Sequence, residues 1–344
     1  MSYRLWRESF NAKSVEIKDG EAAYLSELVP FFLLALQFGL QPTLNSWFIP
    51  IGASNSAMIV VTETVKICLS LGMIWISTTR EMREKVVDSL SLRESVFRAG
   101  IPAFLYSIQN WLILFGSRHT SPLTLSLLNQ TKTLSAAFFA YVLIGKRQTN
   151  MQLVALAGLF LGASMIILAE RAGDVRAGDK DASSNMIGIF AIGLASLLSG
   201  VSSAATELVL ARAAAFEAPK EISSLLFSIE LASLGILTLL GSALIGINPD
   251  TTLLTNPLKN WSLSTLIPVV SNASGGILVG LVTQRAGGVK KGVSLILGIC
   301  FATLIEGMLG KRALTVQHVI AVVLVLLSMY LYFTNPTMRK EKQS

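Results

Sequence analysis

Lys132 is the residue around which chemistry can be built. It lies in Pro122–Gly145, a stretch long and apolar enough to cross a bilayer. The helical rise puts it roughly 15 Å beyond Pro122, about mid-depth in a hydrocarbon slab. An ammonium group there is costly unless a partner or an anionic ligand compensates it, which makes an intramembrane lysine a functional candidate by default. Asn129, Gln130 and Thr133 follow Ser126 at spacings of three, four and seven, so the four form one polar arc that should face protein or water. A second cation comes from Lys290-Lys291-Gly292-Val293-Ser294, which opens another apolar stretch and could turn Lys291, with Ser294 behind it, into the same interior. Two ammonium groups facing one cavity suit phosphate, because they bind it as point charges and can be rehydrated on release. Gln109, Asn110, Asn129 and Gln130 offer the donor and acceptor pairs that a nucleobase edge requires.

Plainer readings stand beside these. Lys132 could belong to a structural salt bridge, and Lys290 reads best as ordinary loop charge. Glu63 and Lys66 are three residues apart on one helix face and can neutralise each other, as a structural pair or as a coupling pair in transport. His119 and His318 are isolated, and no metal-ligand spacing, nucleophile triad or phosphate loop is present. Neither a metal, a cofactor nor an enzymatic activity is expected. Cys68 and Cys300 sit in apolar stretches and read as small buried hydrophobes.

The elements that position these residues follow from hydropathy. Hydrophobic residues make up 52% of the chain and charged ones 14%, with a mean hydropathy of +0.60, which no soluble core needs. The net charge of +7 would suggest nucleic acid in a soluble domain; on a membrane protein basic residues gather at the cytosolic face, and nucleic acid is excluded on that ground. Apolar runs predict spans over about Leu28–Trp47, Ala57–Ile76, Ala99–Ser117, Pro122–Gly145, Met151–Ala169, Met186–Thr206, Ile222–Ile245, Leu263–Val282, Gly292–Leu309 and Val316–Phe333. The expected fold is thus an all-α polytopic membrane protein with ten transmembrane helices. A tail over 1–28, without the pattern of a signal peptide, precedes a transporter domain over 29–335, and a second tail covers 336–344. Of the 28 basic residues, 19 fall on the connections that include both tails and 7 on the opposite set, so both termini are expected in the cytosol.

Three echoes relate the halves, about 29–169 and 186–334. Gly145-Lys146-Arg147 returns as Gly310-Lys311-Arg312, Ser70-Leu71-Gly72 as Ser233-Leu234-Gly235, and Asn110 as Asn272, at offsets of 165, 163 and 162. With an odd number of spans per half, a common offset implies two inverted five-helix repeats with a midplane site between them; chance matches among Leu, Ser and Gly are the alternative.

The chain resembles the nucleotide-sugar transporters related to the CMP-sialic acid, UDP-galactose and UDP-N-acetylglucosamine carriers, in the drug/metabolite transporter superfamily. The resemblance rests on Thr62-Glu63-Thr64-Val65-Lys66, Tyr106 with Gln109-Asn110, Gln130-Thr131-Lys132, and Gly275-Gly276 through Lys291-Gly292-Val293-Ser294, and covers roughly 28 to 335. It implies exchange of a cytosolic nucleotide sugar for a lumenal nucleoside monophosphate; a UDP-sugar is favoured, with a UDP-N-acetylhexosamine among the candidates. It also implies phosphate contacts from Lys132 and Lys291, and a nucleotide pocket of Tyr106, Gln109, Asn110 and Gln130. Ala205-Thr206 before Glu207, and Asn129, stand where the family often has tyrosine, so sugar or base contacts can differ and a CMP-linked cargo stays open. Rival classes are a proton- or gradient-driven metabolite exporter of the same fold, with Glu63 or Glu306 as its carboxylate, and a non-transporting receptor or scaffold. A homodimer stays open as well. Lys340 and Lys342, third and fifth from the carboxyl end, resemble a dilysine retrieval signal read by a coat protein, which predicts the endoplasmic reticulum, with the Golgi as alternative.

Overall fold

In hydrocarbon every backbone N–H and C=O must find an internal partner, so spanning segments are built as helices or closed barrels. The apolar runs here are helices. A computed structural model describes residues 27–50, 52–81, 83–84, 92–120, 122–172, 182–213, 220–246, 252–310, 314–335 and 338–339. Its long helices are α1 (Glu27–Phe48), α2 (Asn55–Ser77), α3 (Leu92–His119), α4 (Pro122–Phe139), α5 (Asn150–Ala172), α6 (Ala182–Ala213), α7 (Lys220–Leu244), α8 (Leu266–Ala286), α9 (Gly288–Met308) and α10 (Val316–Thr334). Among the described residues, 8 of these helices are long and apolar enough to cross a membrane. Of the other two, α3 carries Tyr106, Gln109 and Asn110, and α4 carries Ser126, Asn129, Gln130 and Lys132, polar side chains that dilute the hydropathy of α4. The chain is an all-helical, multi-pass membrane protein.

Several boundaries differ from those expected. α6 begins at Ala182 and not Met186, α3 at Leu92 and not Ala99. α8 continues to Ala286 and α9 starts at Gly288, so the expected loop over 283–291 shrinks to Gly287. Lysines read as loop are helical because a long side chain can turn its charge into a polar interior without interrupting the backbone ladder. Gly287 makes the tight joint through a φ of 89°, which a residue with a Cβ adopts at a cost. α4 loosens into a π turn over Ala140–Ile144 and stops at Gly145, φ 78°, after which Lys146–Arg147 pairs antiparallel with Met338–Arg339.

Packing pairs the helices across the two halves. α2 packs on α7, α5 on α10 and α4 on α9; α6 packs on α3 and α4, while α1 meets α8 and α9 through Gln41 to the Pro268 carbonyl and Ser294 to the Phe31 carbonyl. The predicted stripe on α1 is a hydrogen-bonded run, Gln37 donating to Gln41 at 3.0 Å and Gln41 to Asn45 at 2.9 Å, and Ser271 of α8 joins it. Phe31, Leu159, Ile166, Val293 and Val325 form the largest apolar cluster, where α1, α5, α9 and α10 meet. Cys300 is buried as expected, but Cys68 is exposed on the outside of α2, because an apolar run that faces lipid need not be buried in protein.

Without a hydrophobic drive between helices in lipid, close backbone approach over small residues matters more. A Cβ on Gly162 would lie 2.7 Å from Val325 Cγ2 and 3.2 Å from the Ala321 carbonyl oxygen, whereas one on Gly72 would meet nothing within 4 Å. Gly162→Val should therefore push α10 from α5 and cost about 1–3 kcal/mol, as overpacking does, with Gly72→Ala near neutral. Thermal unfolding in detergent checks both, and equal melting points would contradict this packing.

Candidate functional site

A cavity of about 1050 Å³ lies within the helix bundle, at the upper end of the roughly 300–1,000 Å³ typical of ligand pockets. It reaches Asn55 at the start of α2, Ser242 near the end of α7 and Glu306 near the end of α9, and it stops at Ser203, Thr206 and Gly288. One end of the bundle is thus hollow and the other is filled.

The structure brings most of the predicted residues to this cavity: Lys132, Lys291, Tyr106, Gln109, Asn110, Asn129 and Gln130 all line it, as do Glu63 and Lys66. Ser294 does not. It points to α1, giving its hydroxyl to the Phe31 carbonyl at 2.7 Å, because it follows Lys291 by three residues but lies on the flank that packs against the neighbouring helix. Lys340 and Lys342 lie outside the described residues.

α4 and α9 cross at Thr133 and Gly292, where a Cβ on Gly292 would sit 2.7 Å from Thr133 Oγ1. This approach sets Lys132 and Lys291 near enough for their charges to repel. Their partners differ. Lys291 Nζ donates to Ser203 Oγ at 3.0 Å, whereas Lys132, half-buried, has no hydrogen bond or carboxylate among the described residues. Lys66, 8% exposed, is held by Glu63 at 2.5 Å and rests on Gly276. Of three lysines in one cavity, Lys66 has a carboxylate, Lys291 a neutral hydroxyl and Lys132, among the described residues, nothing. The same lining holds unspent acceptors: the carbonyl oxygens Gln109 Oε1 and Asn129 Oδ1 are buried with no partner among the described residues, while Gln130 Nε2 is turned to the Ser126 carbonyl at 3.3 Å. Buried polar atoms left unpaired are costly and mark where a ligand completes the network.

Sequence reasoning missed Ser203, which faces Lys291 from 88 residues away, and gave Glu207 no partner. Glu207 accepts from Lys146 and, at 2.9 Å, from the Gly288 N–H. Neither pairing has a local signal, since both join distant helices. Glu170, the partner of Thr303 at 3.1 Å, and Glu306 add carboxylates to the cavity wall.

A multi-pass helical bundle with a deep cavity, two neighbouring ammonium groups and spare amide acceptors defines a membrane transporter for an organic anion. The chain belongs to the nucleotide-sugar transporter family, whose model matches residues 52–333. Among its relatives, the UDP-N-acetylglucosamine transporter ROCK1 of Arabidopsis thaliana is 30% identical over 90% of this chain and 93% of that protein. A UDP-N-acetylglucosamine/UDP-N-acetylgalactosamine transporter of Caenorhabditis elegans, nstp-4, is 24% identical over 82% of this chain and 84% of its own length. CMP-sialic acid transporter 3 of Oryza sativa is 25% identical over 80% and 68%. A crystal structure of a protein with 15% identity superposes with a TM-score of 0.65 over 89% of this chain and 96% of the other, which is a likeness of fold.

The Glu63–Lys66 pair makes a stability prediction. Removing one member of a buried pair strands the other charge, at about 3–5 kcal/mol, while replacing both with neutral groups of similar size is close to neutral. Glu63→Ala should therefore lower the melting point sharply, and Glu63→Gln combined with Lys66→Met should recover most of the loss. Additive losses in the double variant would show that the pair is not coupled.

Proposed function

We propose that the chain exchanges a cytosolic UDP-N-acetylhexosamine for a lumenal nucleoside monophosphate by alternating access. The observation that carries this reading is Lys132, an ammonium group beside a second one, in a cavity, with no partner of its own among the described residues. An uncompensated charge in low dielectric calls for an anion, and a pyrophosphate bridging Lys132 and Lys291 supplies it. Gln109 Oε1 and Asn129 Oδ1 are then available to the N–H groups of a base. The choice of sugar leans on the relatives, two of which carry names with UDP-N-acetylglucosamine.

The architecture supports the same reading. The helix pairs α2/α7, α5/α10 and α4/α9 join equivalent helices of two five-helix halves, and α6 on α3 and α4 matches α1 on α8 and α9. Such a pattern fits two inverted repeats of ten spanning helices, with the site at their interface. The surplus of basic residues on one set of connections supports cytosolic termini. The hollow end is then lumenal, and the end closed around Lys146 and Glu207 is cytosolic.

The test is uptake of labelled UDP-N-acetylglucosamine into proteoliposomes. Lys132→Ala removes a charge-assisted contact worth roughly 1.5–3 kcal/mol, so affinity should fall about 10- to 100-fold. Lys132→Arg should restore little, because a planar fork does not replace a point charge. Internal UMP should speed parental uptake. Near-parental uptake by folded Lys132→Ala would remove the site assignment, and uptake driven by a pH gradient alone would favour a proton-coupled exporter.

Location makes a separate prediction. A cytosolic tail ending Lys340-Glu341-Lys342-Gln343-Ser344 supports retrieval to the endoplasmic reticulum by a coat protein. Replacing Lys340 and Lys342 with Ser should move an amino-terminally tagged carrier forward to the Golgi, and an unchanged distribution would sink that reading.

A further inference from the structure

Glu207 lies just beyond the cavity and has no part in the binding described above. It is 8% exposed, and its two oxygens hold different elements: Oε1 takes the Lys146 ammonium after α4, and Oε2 takes the N–H of Gly288, the first residue of α9, at 2.9 Å. One turn earlier on the same helix, Ser203 Oγ takes the Lys291 ammonium at 3.0 Å. Lys291 is in the first turn of α9, its own N–H bonded to the Gly287 carbonyl at 3.1 Å. So α6 and the opening turn of α9 are joined by two rungs a helical turn apart. The inner rung, Ser203 to Lys291, faces the cavity. The outer rung, Glu207 to Gly288 and Lys146, shuts the end of the bundle. α9 meets α8 through Gly287 alone, at φ 89°, a joint at which the first turn of α9 can pivot while α8 stays in place.

We propose that Glu207 is the positioning residue that makes opening of this end depend on an anion at Lys291. The proposal rests on the exchange reading and adds its gate. In the empty carrier both rungs are made and the end is closed. A phosphate oxygen is a stronger acceptor for an ammonium than a neutral hydroxyl, so bound nucleotide draws Lys291 away from Ser203 and leaves the outer rung alone. Lys146 and the Gly288 N–H then leave Glu207 for water, and the end opens. A ligand shifts a conformational equilibrium only by binding the two states differently, and the inner rung supplies that difference: it competes with the anion only in the closed state. An empty carrier keeps both rungs and returns slowly, which is the physical content of obligatory exchange.

The test uses the full chain in proteoliposomes with two readouts. One is the ratio of UDP-N-acetylglucosamine uptake with and without internal UMP. The other is the labelling rate, by an impermeant maleimide, of Val289→Cys in a Cys68→Ser, Cys300→Ala background, since Val289 lines the small recess beneath the latch. In the parent, UMP should raise both. Glu207→Gln, which keeps an acceptor for the Gly288 N–H but loses the pull on Lys146, should label about tenfold faster without UMP, a shift equivalent to about 1.4 kcal/mol, and its uptake ratio should fall toward one. Lys146→Gln breaks the same rung from the other side, with a more exposed residue, and carries the test if Glu207→Gln does not fold. Slower uptake in both variants with labelling and UMP response unchanged would mean a merely structural role and overturn the proposal. Should the parent transport no nucleotide sugar, the substrate reading fails, and the labelling of empty parent against empty Glu207→Gln still decides the latch: equal rates overturn it, faster labelling upholds it.

Discussion

A low-dielectric slab does not tolerate an ammonium group without compensation, and much of this structure can be read as the consequence of placing one there. Lys132 needs a helix whose polar arc is kept from lipid. That helix carries Ser126, Asn129, Gln130, Lys132 and Thr133 within two turns, and its neighbours shelter it. The requirement explains why the two helices that carry the most cavity-lining amides, α3 and α4, need polar neighbours inside the bundle. They are tolerated because α6 lies along both of them, and Ser196 donates to the Leu128 carbonyl at 3.2 Å where α6 meets α4.

Close approach is the second constraint. Two lysines act on one anion only if their helices nearly touch, and α4 and α9 do so because Gly292 presents no Cβ to Thr133. Gly276 likewise gives Lys66 room to lie against α8 and meet Glu63. In both places the small residue supports the function by letting a charged chain on the facing helix take a defined position, with its stem packed and its head in the cavity.

Much of the fold could be read from hydropathy, because length and apolarity decide whether a segment crosses a membrane. The ion pair between Glu63 and Lys66 was legible from spacing alone, and so was the polar stripe Gln37, Gln41 and Asn45, since both depend on one helix's geometry. What depended on two helices was not. Ser294 shares its segment with Lys291 yet serves packing against α1, and nothing in the sequence says which flank of α9 is inward. Ser203 looked like one serine among many, Glu207 like the end of a span, and Cys68 like a core residue although it faces outward. Helix ends failed for a related reason: charge reads as loop, whereas Lys290 and Lys291 are helical because their heads find Glu27 at 3.0 Å and Ser203 at 3.0 Å.

The three cavity lysines show how neighbours sort identical side chains into different tasks. Lys66 is neutralised in place by Glu63, so an incoming phosphate would have to outcompete a carboxylate already in contact. Lys291 has only a hydroxyl, which a phosphate displaces readily. Lys132 has no competitor among the described residues. Affinity for an anion should therefore rise from Lys66 through Lys291 to Lys132, although all three line one cavity. On the proposed exchange reading, that order puts the substrate's charge at the α4–α9 crossing, beside an α2 wall whose Glu63 and Lys66 balance each other. A balanced wall beside a pair of neighbouring lysines suits a molecule with a charged middle and uncharged ends, and a nucleotide sugar has that shape: a pyrophosphate between a base and a hexose.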